Sequence, residues 1–238
     1  MGTFKEYSSA IYDAFSLHHR QKEVIDRKYD IVNKISEYYN EAPSSILFVG
    51  FNPAILNFAQ REIYITDISQ ELLLILKEHN SDIKYLSEPK KFDLIVATDE
   101  YLTFADSDEA QKATIDNLCR MCQGIILTTV KDYKNQEFRE REYSQPAIIK
   151  HGDKLTAFSE IHNWDQKDKN AWTTCLYQLD EDQPINKGTY KRRALYFKQL
   201  AKFTSDMGAS NFLVHKNLMF KSLIKKNYEH VISIHFEN

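Results

Sequence analysis

Cysteine is scarce in this 238-residue chain, which holds three, Cys119, Cys122 and Cys175. An odd number with no second Cys-x-x-Cys pair excludes a disulfide framework and a closed zinc site, and no metal is expected. Cys119 and Cys122 fall late in a helical stripe rather than at a helix start, where a thiolate would be stabilised, so both read as core residues. A dominant charge is missing as well. Lys and Arg total 31 against 34 Asp and Glu, for a net −3 without a long single-sign block, which argues against a general nucleic-acid binder. The one basic stretch, Lys187 to Lys202, is compatible with phosphate contact, but with Lys191, Arg192, Arg193, Lys198 and Lys202 among helix-spaced apolar residues it reads as the solvated face of a helix. No apolar run follows a basic start, and none approaches a membrane span, so a cytoplasmic protein with no membrane partner is expected. Gly2 meets one condition for myristoylation, but Glu6 stands where that motif wants Ser or Thr. There is no internal repeat and no low-complexity segment.

What is present is an alternation of strand and helix. With 42% hydrophobic and 13% aromatic residues the chain can build one sizeable core, so one elaborated domain over 1–238 is expected. Its parts are N-terminal helices (1–44), a half of strands and helices (45–130), a β insertion or lid (131–187), and a closing helix with a strand pair (188–238). A helical stripe runs from Val24 to Tyr39 and stops before Pro43. Ile46 to Val49, Ile63 to Thr66, Ile83 to Leu86, Phe92 to Ala97 and Ile125 to Val130 are short apolar runs of the kind buried in a parallel sheet. Ser69 suits the N-cap of the helix after the second strand. Another helix spans Ser107 to Cys122, with Gly124 as a left-handed cap. Residues 131–187 break this pattern. Ala147 to Lys150, Leu155 to Trp164 and Trp172 to Leu179 read as antiparallel strands, separated by His151-Gly152-Asp153 and Asp165 to Asn170. Tyr190 to Met207 reads as a helix ending at Gly208. Asn211 to Val214 and His230 to Phe236 read as closing strands joined by Leu218 to Asn227. The fold class is α/β, a mostly parallel sheet with an antiparallel C-terminal strand and a small β insertion.

The runs ILFVGFNPAIL (Ile46 to Leu56), EIYITDIS (Glu62 to Ser69) and FDLIVATDEYL (Phe92 to Leu102) resemble, in wording and spacing, the class I Rossmann-like S-adenosylmethionine-dependent methyltransferases. The resemblance covers nearly the whole chain. It implies that S-adenosylmethionine is the cofactor and S-adenosylhomocysteine the product. In the family a glycine-rich turn after the first strand lets the backbone approach the cofactor, and Gly50, Phe51 and Asn52 occupy it here. An acidic residue ending the second strand takes both ribose hydroxyls, which Asp67, followed by Ile68, matches. Ser87 and Glu88 fall on the loop near the adenine. Thr98 and Asp99 fall on the segment that lines the methionine end and the acceptor. The first turn departs from the family in having one glycine, with bulk at Phe51 and rigidity at Pro53.

Methyl transfer needs a nucleophile held in line and screened from water, so a base is optional. If one is used, Asp99, Glu100 and His162 are the candidates by type. Asp99 and Glu100 have a second reading as a helix-start acidic pair in a polar loop. Tyr12, Tyr101, His162 and Trp164 are candidate acceptor-site residues. Tyr7 and Tyr12 lie in an N-terminal segment that covers the cofactor in many relatives, and also read as ordinary helix residues. His162, Trp164 and Trp172 fit either a lid or a satellite cluster that holds the insertion together. Neither Asn-Pro-Pro-Tyr nor Asp-Pro-Pro-Tyr follows the fourth strand, and no Pro-Cys occurs, which disfavours base methylation and leaves a small-molecule or protein acceptor. The glycine-poor turn keeps open an inactive methyltransferase-like binding or scaffold protein. A dehydrogenase is disfavoured by the missing G-x-G-x-x-G.

Overall fold

A computed structural model describes residues 2–16, 21–37, 43–58, 61–131, 140–144, 146–151, 153–179, 183–221 and 228–237. Helices α1 (Phe4–Ser16) and α2 (Gln21–Glu37) precede strand β1 (Ser45–Val49). A single-turn 3-10 helix, Pro53–Asn57, follows, because Asn52 Oδ1 accepts the Ala54 N–H and Pro53 needs no amide partner. Then come β2 (Glu62–Thr66), α3 (Gln70–His79), β3 (Lys84–Tyr85), β4 (Phe92–Ala97), a 3-10 turn at Tyr101–Thr103, α4 (Asp108–Met121) and β5 (Cys122–Val130). Ser69 and Ser107 cap α3 and α4 by accepting the N–H groups of Leu72 and Ala110. The chain continues through β6 (Arg141–Tyr143), β7 (Ala147–His151), β8 (Lys154–Trp164), β9 (Ala171–Leu179), β10 (Pro184–Arg193), α5 (Phe197–Asp206), β11 (Asn211–Lys221) and β12 (Tyr228–His235).

Seven strands among the described residues form one sheet in the order β11-β12-β5-β4-β1-β2-β3. Strands β1 to β5 run parallel, while β12 is antiparallel to both β5 and β11. Since β1 lies between β2 and β4, the strand order reverses there, which opens a crevice above the carboxyl ends of these strands. All five β1 residues are buried, as an apolar run covered on both faces should be. The second sheet has the order β10-β9-β8-β6, with β7 also paired to β8. Its buried side chains fall at alternate positions: Phe158, Glu160, His162 and Trp164 on β8, Trp172, Thr174 and Leu176 on β9, and Tyr190 and Arg192 on β10. These residues form its inner face.

Three expectations are corrected. Tyr190 to Arg193 belong to β10, paired with Thr174 to Ala171, and the helix begins only at Phe197. Arg192 is therefore not on a solvated helix face but points inward at 1% exposure, a buried charge that a hydropathy pattern assigns to the outside. Gly124 is not a left-handed cap, since α4 gives way directly to β5 at Cys122. A Cβ at Gly124 would strike the Asp93 carbonyl on β4, so glycine serves close strand approach. The segment expected to connect the closing strands is still strand from Leu218 to Lys221, and 222–227 lie outside the described residues, as do Tyr38, Tyr39 and Gly152.

Candidate functional site

Gly50, at the end of β1, has φ +74°. Among the described residues the only non-glycine positive φ values are at Asp67 (54°), Asp99 (56°) and Glu100 (56°), just past β2 and β4. A left-handed residue costs roughly 1–2 kcal/mol, least for Asp and Asn, and such conformations gather where geometry serves function. These three acidic side chains flank β1 at the reversal of strand order. The Asp67 carboxylate accepts a hydrogen bond from the Tyr101 hydroxyl at 3.3 Å. Burial raises its pKa against the opposing pull of Tyr101 and Lys5, and burial, with Asp67 beside it, also pushes the Tyr101 hydroxyl upward. Thr98 Oγ1 accepts from Asn52 Nδ2 at 2.9 Å and donates to Asp99 Oδ2 at 3.3 Å. Lys28 of α2 reaches within 3.8 Å of Asp99. Ile68 is buried beside this group, while Ser87 and Glu88 are exposed on the loop after β3.

Helix α1 roofs the turn. Ser8 Oγ accepts the Phe51 N–H at 2.5 Å, and Phe51 packs against Tyr12 and Phe15 with ring centroids 5.0 and 5.2 Å apart. The bulk of Phe51 is absorbed by that aromatic contact. A Cβ at Gly50 would lie 2.5 Å from the Phe4 ring and 2.9 Å from Ser8 Oγ, so the glycine lets α1 close down. Phe4 in turn meets Tyr101 edge-on at 4.6 Å.

The inner face of the second sheet meets α1 at Tyr7 and the turn after β4 through Arg192, whose guanidinium also lies 5.6 Å from the Trp172 ring. Glu160 is fully buried, accepts from the Tyr7 hydroxyl (2.8 Å) and lies 3.0 Å from His162 Nε2. Tyr7 thus has a specific polar partner, beyond the ordinary helix-packing role. His162 lies parallel to Trp172, with ring centroids 6.3 Å apart. Arg192 donates from Nη2 to Glu100 Oε2 (2.5 Å) and from Nε to Thr103 Oγ1 (2.7 Å), with its guanidinium 4.0 Å from the Phe104 centroid. Arg193 bridges Asp108 and Asp168, and the Gly2 N–H reaches the Thr189 carbonyl at 2.8 Å. Trp164 forms a small cluster with Trp172 and Ala194, the satellite role considered for it.

Of the residues singled out from sequence, Gly50, Phe51, Asn52, Asp67, Ile68, Thr98, Asp99 and Tyr101 come together at the crevice. Tyr12 stands behind Phe51, His162 faces the chain interior from the second sheet, and Ser87 and Glu88 stay at the rim. Asp99 and Glu100 do stand at a helix start, just before the 3-10 turn Tyr101–Thr103, but both are buried and ion-paired, to Lys28 and Arg192. Phe4, Ser8, Lys28, Glu160 and Arg192 escaped sequence reading. Glu160 was within reach, because the alternation of Phe158, Glu160, His162 and Trp164 puts it on the His162 face.

No protein-family model and no curated protein matches the sequence. Solved structures do match by shape. One is DesVI of Streptomyces venezuelae, at TM-score 0.70 and 12% identity over 97% of this chain and 98% of that one. Another is CalS10 with bound S-adenosylmethionine, an amino pentose methyltransferase from Micromonospora echinaspora, at TM-score 0.66 and 10% identity over 94% and 95%. A third is an S-adenosylmethionine-dependent methyltransferase from Clostridium acetobutylicum, at TM-score 0.65 and 11% identity over 90% and 92%. The chain has the α/β fold of these structures, two of them named as methyltransferases, with its mostly parallel sheet and antiparallel strand pair.

Proposed function

We propose that this protein is an S-adenosylmethionine-dependent methyltransferase acting on a small molecule through a nitrogen or oxygen nucleophile. The observation that carries the reading is Asp67: a left-handed, largely buried carboxylate at the end of β2, with the Tyr101 hydroxyl as its hydrogen-bond donor. A carboxylate can accept about four hydrogen bonds, so Asp67 retains capacity for a vicinal diol. The residues present fit a nucleoside at that end. At Gly50 the close approach is taken up by Phe4 and Ser8 of α1, which leaves the Asp67 end of the turn as the part that fits the nucleoside.

S-adenosylmethionine supplies an electrophilic methyl group on a sulfonium. Asp67 orients the ribose, and Asn52, Thr98 and Asp99 present a linked polar edge to the amino-acid end. The rings of Phe4 and Tyr101 would exclude water beside Asp67, while Phe104 already carries the Arg192 guanidinium over its face. CalS10, named as an amino pentose methyltransferase, supports a small acceptor over a protein one. Thermal unfolding with and without S-adenosylhomocysteine tests this. At one hundred times Kd, binding to the folded state adds about 2.7 kcal/mol, a rise of several degrees. No rise at millimolar ligand would count against the reading.

A further inference from the structure

Resting on that methyl-transfer reading, we infer that His162, positioned by Glu160 and Tyr7, is the hydrogen-bond acceptor that holds the methyl acceptor's N–H or O–H group and takes its proton. A carboxylate only accepts, so the 3.0 Å contact from His162 Nε2 to Glu160 puts the ring proton on Nε2 and leaves the lone pair on Nδ1. Among the described residues no group hydrogen-bonds Nδ1. Glu160 is fixed from its other oxygen by the Tyr7 hydroxyl at 2.8 Å, and Trp172 fixes the plane of the imidazole. The tautomer and ring orientation are thus set by buried groups, Glu160 and Trp172, the first held in turn by Tyr7. The other two acidic candidates are already engaged, Glu100 by Arg192 and Asp99 by Lys28.

The site accepts small molecules bearing a hydrogen-bond donor on the nucleophilic atom, such as an amine or a hydroxyl. As that atom's lone pair forms its bond to the methyl carbon, the methyl–sulfur bond of the sulfonium donor breaks with its electron pair going to sulfur, and S-adenosylhomocysteine leaves as the thioether. The acceptor's N–H or O–H bond breaks and the proton passes to Nδ1. The resulting imidazolium faces Glu160, which offsets the new charge. Glu160 is a positioning residue, because it acts through His162.

The test is nitrogen-15 NMR of the histidine rings in the full-length protein saturated with S-adenosylhomocysteine, with ethanolamine and ethylene glycol as probes. The expected result is an Nε2–H tautomer for His162 and a saturable shift of its Nδ1 resonance with at least one probe. Glu160→Leu should let the ring populate both tautomers. Should that variant fail to fold, Tyr7→Phe frees one carboxylate oxygen and should weaken the Nε2–H preference less. An Nδ1–H tautomer in the wild type, or a His162 signal unmoved by both probes while S-adenosylhomocysteine is bound, overturns the inference alone. Failure of S-adenosylhomocysteine to bind overturns the methyl-transfer reading instead.

Discussion

The two sheets solve burial in opposite ways. Strands β1 and β4 bury Ile46, Leu47, Phe48, Leu94, Ile95 and Val96, side chains with no polar atoms to satisfy. The inner face of the second sheet buries Glu160, His162, Thr174 and Arg192 among its aromatic residues. The first arrangement gives stability through area removed from water. The second carries desolvation costs that only complete pairing offsets, and apolar replacements are often as stable or more so. Buried charge that adds little stability, facing the strand ends where Asp67, Asp99 and Glu100 gather, fits a surface shaped for chemistry.

This contrast can be broken at either sheet. Arg192→Met leaves Glu100 buried without its guanidinium and should cost about 3–5 kcal/mol in urea unfolding. Adding Glu100→Gln should recover most of that loss, and no recovery would mean that Arg192 matters for packing alone. In the parallel sheet Leu47→Ala should cost about 3 kcal/mol, and no second polar substitution should rescue it. At the opposite end of that sheet, Asp93 accepts the N–H groups of Ser44 and Ser45 and the Gln123 amide. Burial pulls its pKa up, but the bonds from Ser44, Gln123 and Ser45 prevail and hold it at about 2. Its folded pKa is below the unfolded one, so its contribution is present above about pH 4 and lost as pH falls toward 2. Discounted for its exposure, this is on the order of 1 kcal/mol, and acid titration of Asp93→Asn should show a flatter decline. The smallest effect expected is that of Ser107→Ala, which removes the α4 cap and should cost about 0.5–1 kcal/mol.

The same contrast explains what sequence could reveal. Apolar runs such as Ile46 to Val49 and Phe92 to Ala97 declare themselves, because a strand buried on both faces tolerates little else. Gly50 and Asp67 were legible by their places just after the first two strands, where both take the positive φ that glycine and aspartate tolerate best. The β10 strand was not legible: Arg192 points inward, so Lys191-Arg192-Arg193 imitates a solvated helix face. Lys28 was hidden because its buried partner, Asp99, lies far away in sequence, and Glu160, although strand alternation puts it beside His162, gave no local sign of its bond to Tyr7, 153 residues away. Ser8 and Phe4 depend on how α1 docks, which no local pattern encodes.

The most direct test of methyl-transfer chemistry at the strand ends is calorimetric titration of the wild type and Asp67→Ala with S-adenosylmethionine and S-adenosylhomocysteine. The account predicts saturable 1:1 binding of both ligands to the wild type, weakened at least about tenfold in the variant, equivalent to about 1.4 kcal/mol. Wild-type protein that binds neither ligand, or a variant that binds both unchanged, would contradict it.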